Sequence, residues 1–310
     1  MKTELKAVCF GEILFDVFLE HKKIGGAPLN VATRLKALGG DVAMISAVGA
    51  DSNGEKLTTY LNDLHINTSG VEVKNGYPTG IVNVILNEKG NASYDIQYPS
   101  AWDKIEISNV NKTIVEQADF LVYGSLSCRD AVSKKTLLEL LVLAKYKIFD
   151  VNLRVPHYTK KNVFDLLYAA DFIKFNDDEL NEICEDLNSN KKSLEQNIRF
   201  IAKETNTDTV CVTLGSHGAV LYCNDTFYHN CGFKVNVVDT VGSGDSFLAS
   251  LILLLLNGED PQYAINFASA VGAIVAQNEG ANPVILQSEI EEFLSGFDKI
   301  KCKDSNQIYF

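Results

Sequence analysis

The chain has 310 residues, 46% of them hydrophobic, which is enough to bury a large core; it argues against a disordered or fibrous protein and for one large α/β domain over 1–310 or such a domain with a small accessory element. A formal net charge of −12 would repel nucleic acid or an anionic membrane before contact, so no nucleic acid and no membrane are expected as partners, and a small molecule is. Seven cysteines without a C-x-x-C pair read as buried thiols of a reducing cytosol, and the start of the chain lacks an apolar stretch with a cleavage site, so a cytoplasmic location is expected.

The first strand is expected over Lys6–Gly11. Helix-patterned Ala27–Leu38 stops at Gly39-Gly40 and leads into a strand over Asp41–Val48, one βαβ-like step. Further strands over Asp119–Gly124, Lys147–Asp150, Phe172–Phe175 and Thr209–Leu214 alternate with helical sequence, the pattern of a mainly parallel sheet with helices on its faces. Ile13–Ile24 and Thr79–Tyr98 break that rhythm. Both alternate with period two and lack an intervening helix, with a turn signal at Asn87–Asn91, so they read as antiparallel strands that either form a second small sheet or extend an edge of the main one. Phe247–Leu256, the longest apolar run, is about half the length needed to span a bilayer and reads as a buried helix.

Asp239-Thr240-Val241-Gly242-Ser243-Gly244-Asp245 stands directly ahead of that helix. Its glycines let the backbone turn tightly and aim N–H groups at one point made positive by the helix dipole, which is an anion site. Asp245 would oppose a bound phosphate, so it reads either as a helix cap or as a base that takes a proton from an attacking hydroxyl. Gly25-Gly26-Ala27-Pro28-Leu29-Asn30 opens the first helix; the glycines permit close approach of a ligand and Asn30 offers a polyol both donor and acceptor. Asp16 lies in an apolar strand pattern and needs a hydrogen-bonding reason to be there. The stretches Asp150–Arg154, Lys174–Glu179 and Thr213–Gly218 each follow an expected strand, where they serve as turns and caps or converge on the crevice beyond the carboxyl ends of an open sheet. No G-x-G-x-x-G follows the first strand, which counts against a dehydrogenase, and Glu55 stands where the near-P-loop Gly49–Lys56 would need its lysine.

GGAPLN and DTVGSGD, in that order and at that separation, resemble the two signature regions of the ribokinase-like (PfkB-type) carbohydrate kinases. VGADSNGEKL, KFNDDEL, VTLGSHGA and NEGANP extend the likeness along almost the whole chain. The resemblance implies a three-layer α/β/α sandwich around a mostly parallel sheet, with a small β-sheet lid at 13–24 and 79–98. It implies ATP and Mg²⁺, with Asp245 as catalytic base, the amides of Gly242, Ser243 and Gly244 as anion hole, and Asn176 and Glu179 organising Mg²⁺ through water and phosphate. Thr213, Gly215 and Gly218 match the nucleotide phosphate loop, and Asn278 falls in the adenine-side segment. Ser243 stands where alanine is frequent.

On the acceptor side, Asp16, Gly26 and Asn30 match positions that hold sugar hydroxyls, and Arg154 is a cation that could serve an ATP phosphate or a sugar carboxylate. GGAPLN with DVNLR resembles the fructokinase branch, and Gln97 and Tyr98 stand where 2-keto-3-deoxygluconate kinases commonly place an arginine. D-Fructose is therefore the expected acceptor, with that sugar acid, ribose or a nucleoside as alternatives. In many members the residue matching Asp239 helps hold a monovalent cation, but Val284 replaces a serine hydroxyl that some relatives supply, which leaves K⁺ open. A non-catalytic sugar and nucleotide sensor would keep the fold without needing Asp245, Asn176 and Glu179. The alternating edges of the lid are expected to pair two chains into a homodimer.

Overall fold

Strand β1 (Lys6–Phe10) is buried at every position after Lys6, because a central strand covered by helices on both faces has no solvent side. The computed structural model describes residues 4–19, 21–86 and 92–297. After β1 come β2 (Leu14–Val17) and β3 (Lys22–Gly25), then α1 (Ala27–Ala37), β4 (Asp41–Gly49), α2 (Ser52–Asp63) and β5 (Asn67–Lys74). A second helix-free stretch supplies β6 (Gly80–Leu86) and β7 (Ala92–Ile96). Helices and strands then alternate: α3 (Asn109–Gln117), β8 (Phe120–Gly124), α4 (Ala131–Leu141), β9 (Lys147–Asp150), α5 (Lys160–Leu167) and β10 (Phe172–Asn176). Next are α6 (Asp177–Asp186), α7 (Leu194–Thr205), β11 (Thr209–Thr213), β12 (Ala219–Cys223) and β13 (Thr226–Asn230). The chain closes with α8 (Ser243–Leu256), α9 (Pro261–Ala276) and α10 (Gln287–Phe297).

Among the described residues the main sheet has the order β13-β12-β11-β10-β9-β8-β1-β4-β5. Every pair from β11 to β5 is parallel, while β12 and β13 add an antiparallel edge. One face packs on α1, α2, α8 and α9 through Leu29, Leu57, Leu248 and Ile265. The other packs on α4 to α7 through Leu137, Leu166, Ile183 and Ile201. This is the expected α/β/α sandwich.

The two helix-free stretches form a separate four-stranded sheet, β3-β2-β6-β7, rather than an extension of the main one. Its joint differs from expectation: β2 and β6 run parallel, so only the flanking pairs β2–β3 and β6–β7 are antiparallel. The expected turn at Asn87–Asn91 lies outside the described residues. The buried-thiol reading holds for Cys9, Cys128, Cys184 and Cys211, but Cys223 is half-buried and Cys231 is disulfide-bonded; Cys302 lies outside the described residues. Among the described residues no helix is long and apolar enough to cross a membrane.

The small sheet is anchored to the body where β7 ends. Arg129 pairs with Asp103 through Nε–Oδ1 (2.7 Å) and Nη2–Oδ2 (2.8 Å), and the side chains are 3% and 1% exposed. Its guanidinium stacks 4.0 Å over the buried Trp102 ring and donates to the Gln97 carbonyl at 2.7 Å. A planar, always-charged group suits this fork, since both carboxylate oxygens and a carbonyl are met from one rigid plane. Removing one partner strands a charge in the core. Asp103→Ala is expected to lower the unfolding free energy by about 3–5 kcal/mol; a loss under about 1 kcal/mol in urea titrations would show that the anchor is held by packing alone.

Candidate active site

The carboxyl ends of β1, β9, β10 and β11 and the amino ends of α1 and α8 meet at one edge of the main sheet, beneath the small sheet. At its floor a salt bridge joins two neighbouring strands: Lys174 on β10 donates to Asp150 Oδ1 on β9 at 2.9 Å, with both residues buried. Burial works against the Lys174 ammonium, but Asp150 and Glu179 outweigh it and raise its proton affinity. The ammonium lies 3.4 Å from where a side chain on Gly244 would begin, so it sits directly under the start of α8.

That start is shaped by Gly242, the N-cap, at φ 76°. A Cβ there would fall 2.6 Å from the Cα of Ala281 as well as demanding a left-handed backbone, so only glycine closes this turn. The Ser243 amide donates to the Thr240 carbonyl at 3.2 Å. Ser243 therefore drops out of the expected donor set of Gly242, Ser243 and Gly244: among the described residues, the amides at this turn left without an acceptor are those of Gly242, Gly244 and Asp245. The Ser243 hydroxyl is committed as well, to the Gly272 carbonyl of α9 at 2.8 Å. Unpaired N–H groups at a helix start are an anion cradle.

Asp245 stands beside the cradle. Its Oδ2 accepts from Asn30 Nδ2 on α1 at 2.8 Å, and Asn30 Oδ1 accepts in turn from Asn282 Nδ2 at 2.9 Å. Burial, reinforced by the Asp150 charge, pushes the Asp245 carboxyl up to about 6, against the lowering effect of Asn30, Lys174 and Arg154. A carboxylate so poised is ionised at neutral pH yet accepts protons more readily than an ordinary aspartate.

Across from Asp245 lie the acceptor-side candidates. Asp16 on β2 rests against Gly25, and burial together with Asp239 pushes it up to about 6. Gly26 caps α1 at φ 113°, where a Cβ would fall 2.5 Å from the Glu12 carbonyl oxygen. Arg154 is exposed; its Nη1 donates to the Leu153 carbonyl, and its charge reaches Asp16, Glu12 and Asp245 without an ion-pair partner among the described residues. Glu12 is buried with Oε2 unpartnered, and burial pushes it up to about 7.

On the far side of α8's start opens a cleft of about 670 Å³, lined by Thr213, Gly215 and Gly218 at one wall, Ser243 and Gly244 at its inner end, and Phe233, Val237 and Ala273 among its apolar positions. Asn278 is not among the lining residues; its Nδ2 donates to the Ile274 carbonyl and closes α9. Asn176 and Glu179 form a reciprocal cap on α6, each side chain accepting from the other's amide at 2.8 Å, and Glu179 Oε1 also accepts from the Leu153 amide at 3.0 Å. Burial raises the Glu179 carboxyl, with Lys174 opposing. Asp239 accepts from the amides of Val241 (3.0 Å) and Gly280 (3.1 Å), with the Lys23 ammonium of β3 at 3.6 Å. The structure thus gathers the expected site residues along one edge, with the Asn278 side chain turned back onto its own helix. It adds Lys174, Glu12 and Asn282. A lysine in the middle of the apolar run FIKFN was the available signal for the first; Asn282 lies in the NEGANP segment, but nothing in that segment marks its side chain as reaching α1.

Residues 4–287 match the pfkB family carbohydrate kinase model. The chain is 30% identical to "Probable fructokinase-6, chloroplastic" of Arabidopsis thaliana across 91% of this chain and 80% of that protein. An uncharacterized sugar kinase from Pyrococcus horikoshii, solved with ATP, is 28% identical and superposes with a TM-score of 0.79 over 93% of this chain and 100% of that one. A fructokinase from Vibrio cholerae, solved with fructose, ADP and a potassium ion, shares the fold at 22% identity, with a TM-score of 0.82 over 95% and 99% of the two chains.

The raised Asp245 carboxyl has a consequence for stability. Between its ordinary value of 3.8 and about 6 the folded chain holds a proton that the unfolded chain has lost, so this group's contribution falls as pH rises through that window. Asp245→Asn does not titrate and keeps an oxygen for Asn30. It is expected to be more stable than the unmodified protein above pH 6, by about 1–3 kcal/mol, with the gap closing toward pH 4. Denaturant titrations across that range check it; a variant less stable at pH 8 would mean that the partners over-compensate burial.

Proposed function

This chain belongs to the pfkB family of carbohydrate kinases and is a sugar phosphotransferase, and we propose that it passes the γ-phosphoryl group of ATP to a primary hydroxyl of D-fructose, giving fructose 6-phosphate. The observation that carries the reading is the meeting, at the start of α8, of a proton acceptor with uncommitted amide donors: Asp245 beside the free N–H groups of Gly242, Gly244 and its own backbone. Asp245 takes the proton from the acceptor hydroxyl as that oxygen attacks phosphorus in line. The amides, with Lys174 beneath them, meet the negative charge spreading over the transferred group. ATP would occupy the cleft bounded by Thr213, Gly215 and Gly218.

The oxygen-only set of Asn176, Glu179 and Asp150 suits Mg²⁺, since Asp150 Oδ2 is buried without a partner close to the Glu179 carboxylate. Among the described residues no cluster would hold a metal directly, so these groups would organise it through water and phosphate, where its charge offsets that of the triphosphate. A K⁺ ion at Asp239 would share that carboxylate with Lys23. Asp16, the Gly26 turn and Asn30 would hold acceptor hydroxyls, and the small sheet would shield them from water. The curated relative named as a fructokinase supports fructose. One observation favours a second reading: Arg154 faces this pocket without an ion-pair partner among the described residues, and would suit the carboxylate of 2-keto-3-deoxygluconate.

Coupled ADP-release assays with D-fructose, D-ribose, adenosine and 2-keto-3-deoxygluconate are expected to give D-fructose the highest kcat/KM, by as much as about 10⁴ over analogues that leave buried polar groups unpaired. A sugar acid ahead of fructose would overturn the acceptor and assign Arg154 to its carboxylate; no ADP with any sugar would favour a sensor. Asp245→Asn is expected to keep nucleotide binding while turnover falls by roughly 10²–10⁴.

A further inference from the structure

We infer that Asn282, in the loop between α9 and α10, is a positioning residue for the base: it is the outer member of a one-way hydrogen-bond relay, Asn282 to Asn30 to Asp245, that presents Asp245 Oδ1 to the acceptor hydroxyl. The inference rests on the reading of Asp245 as base.

The direction of the relay follows from charge. An ionised carboxylate can only accept, so the end of the Asn30 amide that faces Asp245 must be its NH₂, as found at 2.8 Å. The Asn30 carbonyl is then turned toward residue 282 and needs a donor there, which Asn282 Nδ2 supplies at 2.9 Å. The two ends of an amide have nearly the same shape, so partner polarity alone decides its orientation. Asp245 sets Asn30, and Asn282 reinforces the setting. With Oδ2 occupied by Asn30, Oδ1 is the oxygen left for a proton.

Two further observations show that this arrangement is built. Asn282 Oδ1 is buried with no partner, so nothing on that side of the amide rewards its orientation; turning it over would place that oxygen against the Asn30 carbonyl. The loop is also pinned on both sides of Asn282. Ala281 packs against Gly242, while Arg34, one turn beyond Asn30 on α1, donates to the Pro283 carbonyl at 3.0 Å and to Ser246 Oγ at 3.2 Å. The same segment thus closes the anion turn and orients the base.

The charged groups around Asp245 pull in both directions. Asp150 on β9 raises its proton affinity and Glu12 after β1 bears on it as a like charge; Lys174 on β10 and Arg154 after β9 lower it, as does the Asn30 hydrogen bond. Arg34 lies beyond it on α1, against Ser246. The relay belongs to the lowering side, so disrupting it raises the proton affinity and moves the acid limb of turnover to higher pH.

The test compares kcat and kcat/KM against pH for the full chain and for Asn282→Asp and Asn282→Ala, with MgATP and whichever of the four acceptors above is turned over fastest. Asn282→Asp places a pure acceptor beside Asn30 and favours the reversed amide, with its carbonyl toward Asp245. The acid limb is expected to rise by about one pH unit or more, a tenfold loss at pH values below it. Turnover should recover at alkaline pH, with KM for ATP unchanged. Asn282→Ala, which only removes the donor, should move the limb in the same direction by less; it carries the test if the aspartate variant does not fold, as judged by thermal midpoint and ADP binding. An acid limb in its original place in the folded variants overturns the relay. Asp245→Asn run in parallel separates the two claims: if it retains full turnover, the base assignment fails and the relay with it; if it is inactive while the limb stays put in the Asn282 variants, the relay alone fails.

Discussion

Four carboxylates gather at the carboxyl edge of the main sheet, and one buried ammonium makes that gathering tenable. Asp150, Glu179 and Asp245 all act on Lys174, while Glu12 lies nearby with its own carboxyl raised by burial. Without a cation, carboxylic acids packed this closely and this far from water would hold their protons, and none would serve as a base at neutral pH. Lys174 can hold its charge because parallel pairing of β9 with β10 places it directly opposite Asp150. The sheet register therefore comes first, and the protonation states of the site follow from it.

The same pair addresses a second difficulty. A chain with a net charge of −12 is a poor receptacle for a triphosphate. Attraction has to be local. It is assembled from three sources that converge within one turn of helix: the free amides at the start of α8, the dipole of that helix, and the ammonium beneath Gly244. None of them alters the overall charge of the surface.

Much of this was legible in the sequence because it is local. Near-continuous apolar runs such as FLVYG and TVCVT mark strands buried on both faces, and the glycines of DTVGSGD mark a turn that only glycine can close. What escaped detection depends on contacts between distant residues. The parallel joint of β2 with β6 brings together strands separated in the chain by β3, α1, β4, α2 and β5, and period-two alternation does not encode the direction of a partner. Asn282 reaches Asn30 across 252 positions. The replacement of the Ser243 amide by that of Asp245 in the anion cradle depends on whether Ser243 or its neighbour closes the turn onto Thr240, a matter of backbone angle rather than residue type. Asn278 shows the limit from the other side: its segment fits the resemblance, while its side chain donates to a carbonyl of its own helix.

The small sheet is held at its two ends by contacts of different strength. Beyond β7, Arg129, Asp103 and Trp102 form a buried, bidentate and stacked anchor. At β3 the ties are exposed Lys22, which donates to Asn53 Oδ1 of α2, and Lys23, 2.9 Å from Glu279 and 3.6 Å from Asp239, with Glu279 70% exposed. The Lys23–Glu279 pair is solvated on its Glu279 side, so it contributes little and is weakened by salt. Separation of the sheet from the body therefore costs least along β3, the edge nearest Asp16 and the Gly26 turn. Asp239 also fixes the amides of Val241 and Gly280, one leading into the Gly242 turn and the other into the loop that carries Asn282. The carboxylate that receives the weakly tied edge of the small sheet is thus the one that holds together the Gly242 turn and the loop carrying Asn282, so in the proposed mechanism closure over the acceptor and alignment of Asp245 would depend on the same few atoms.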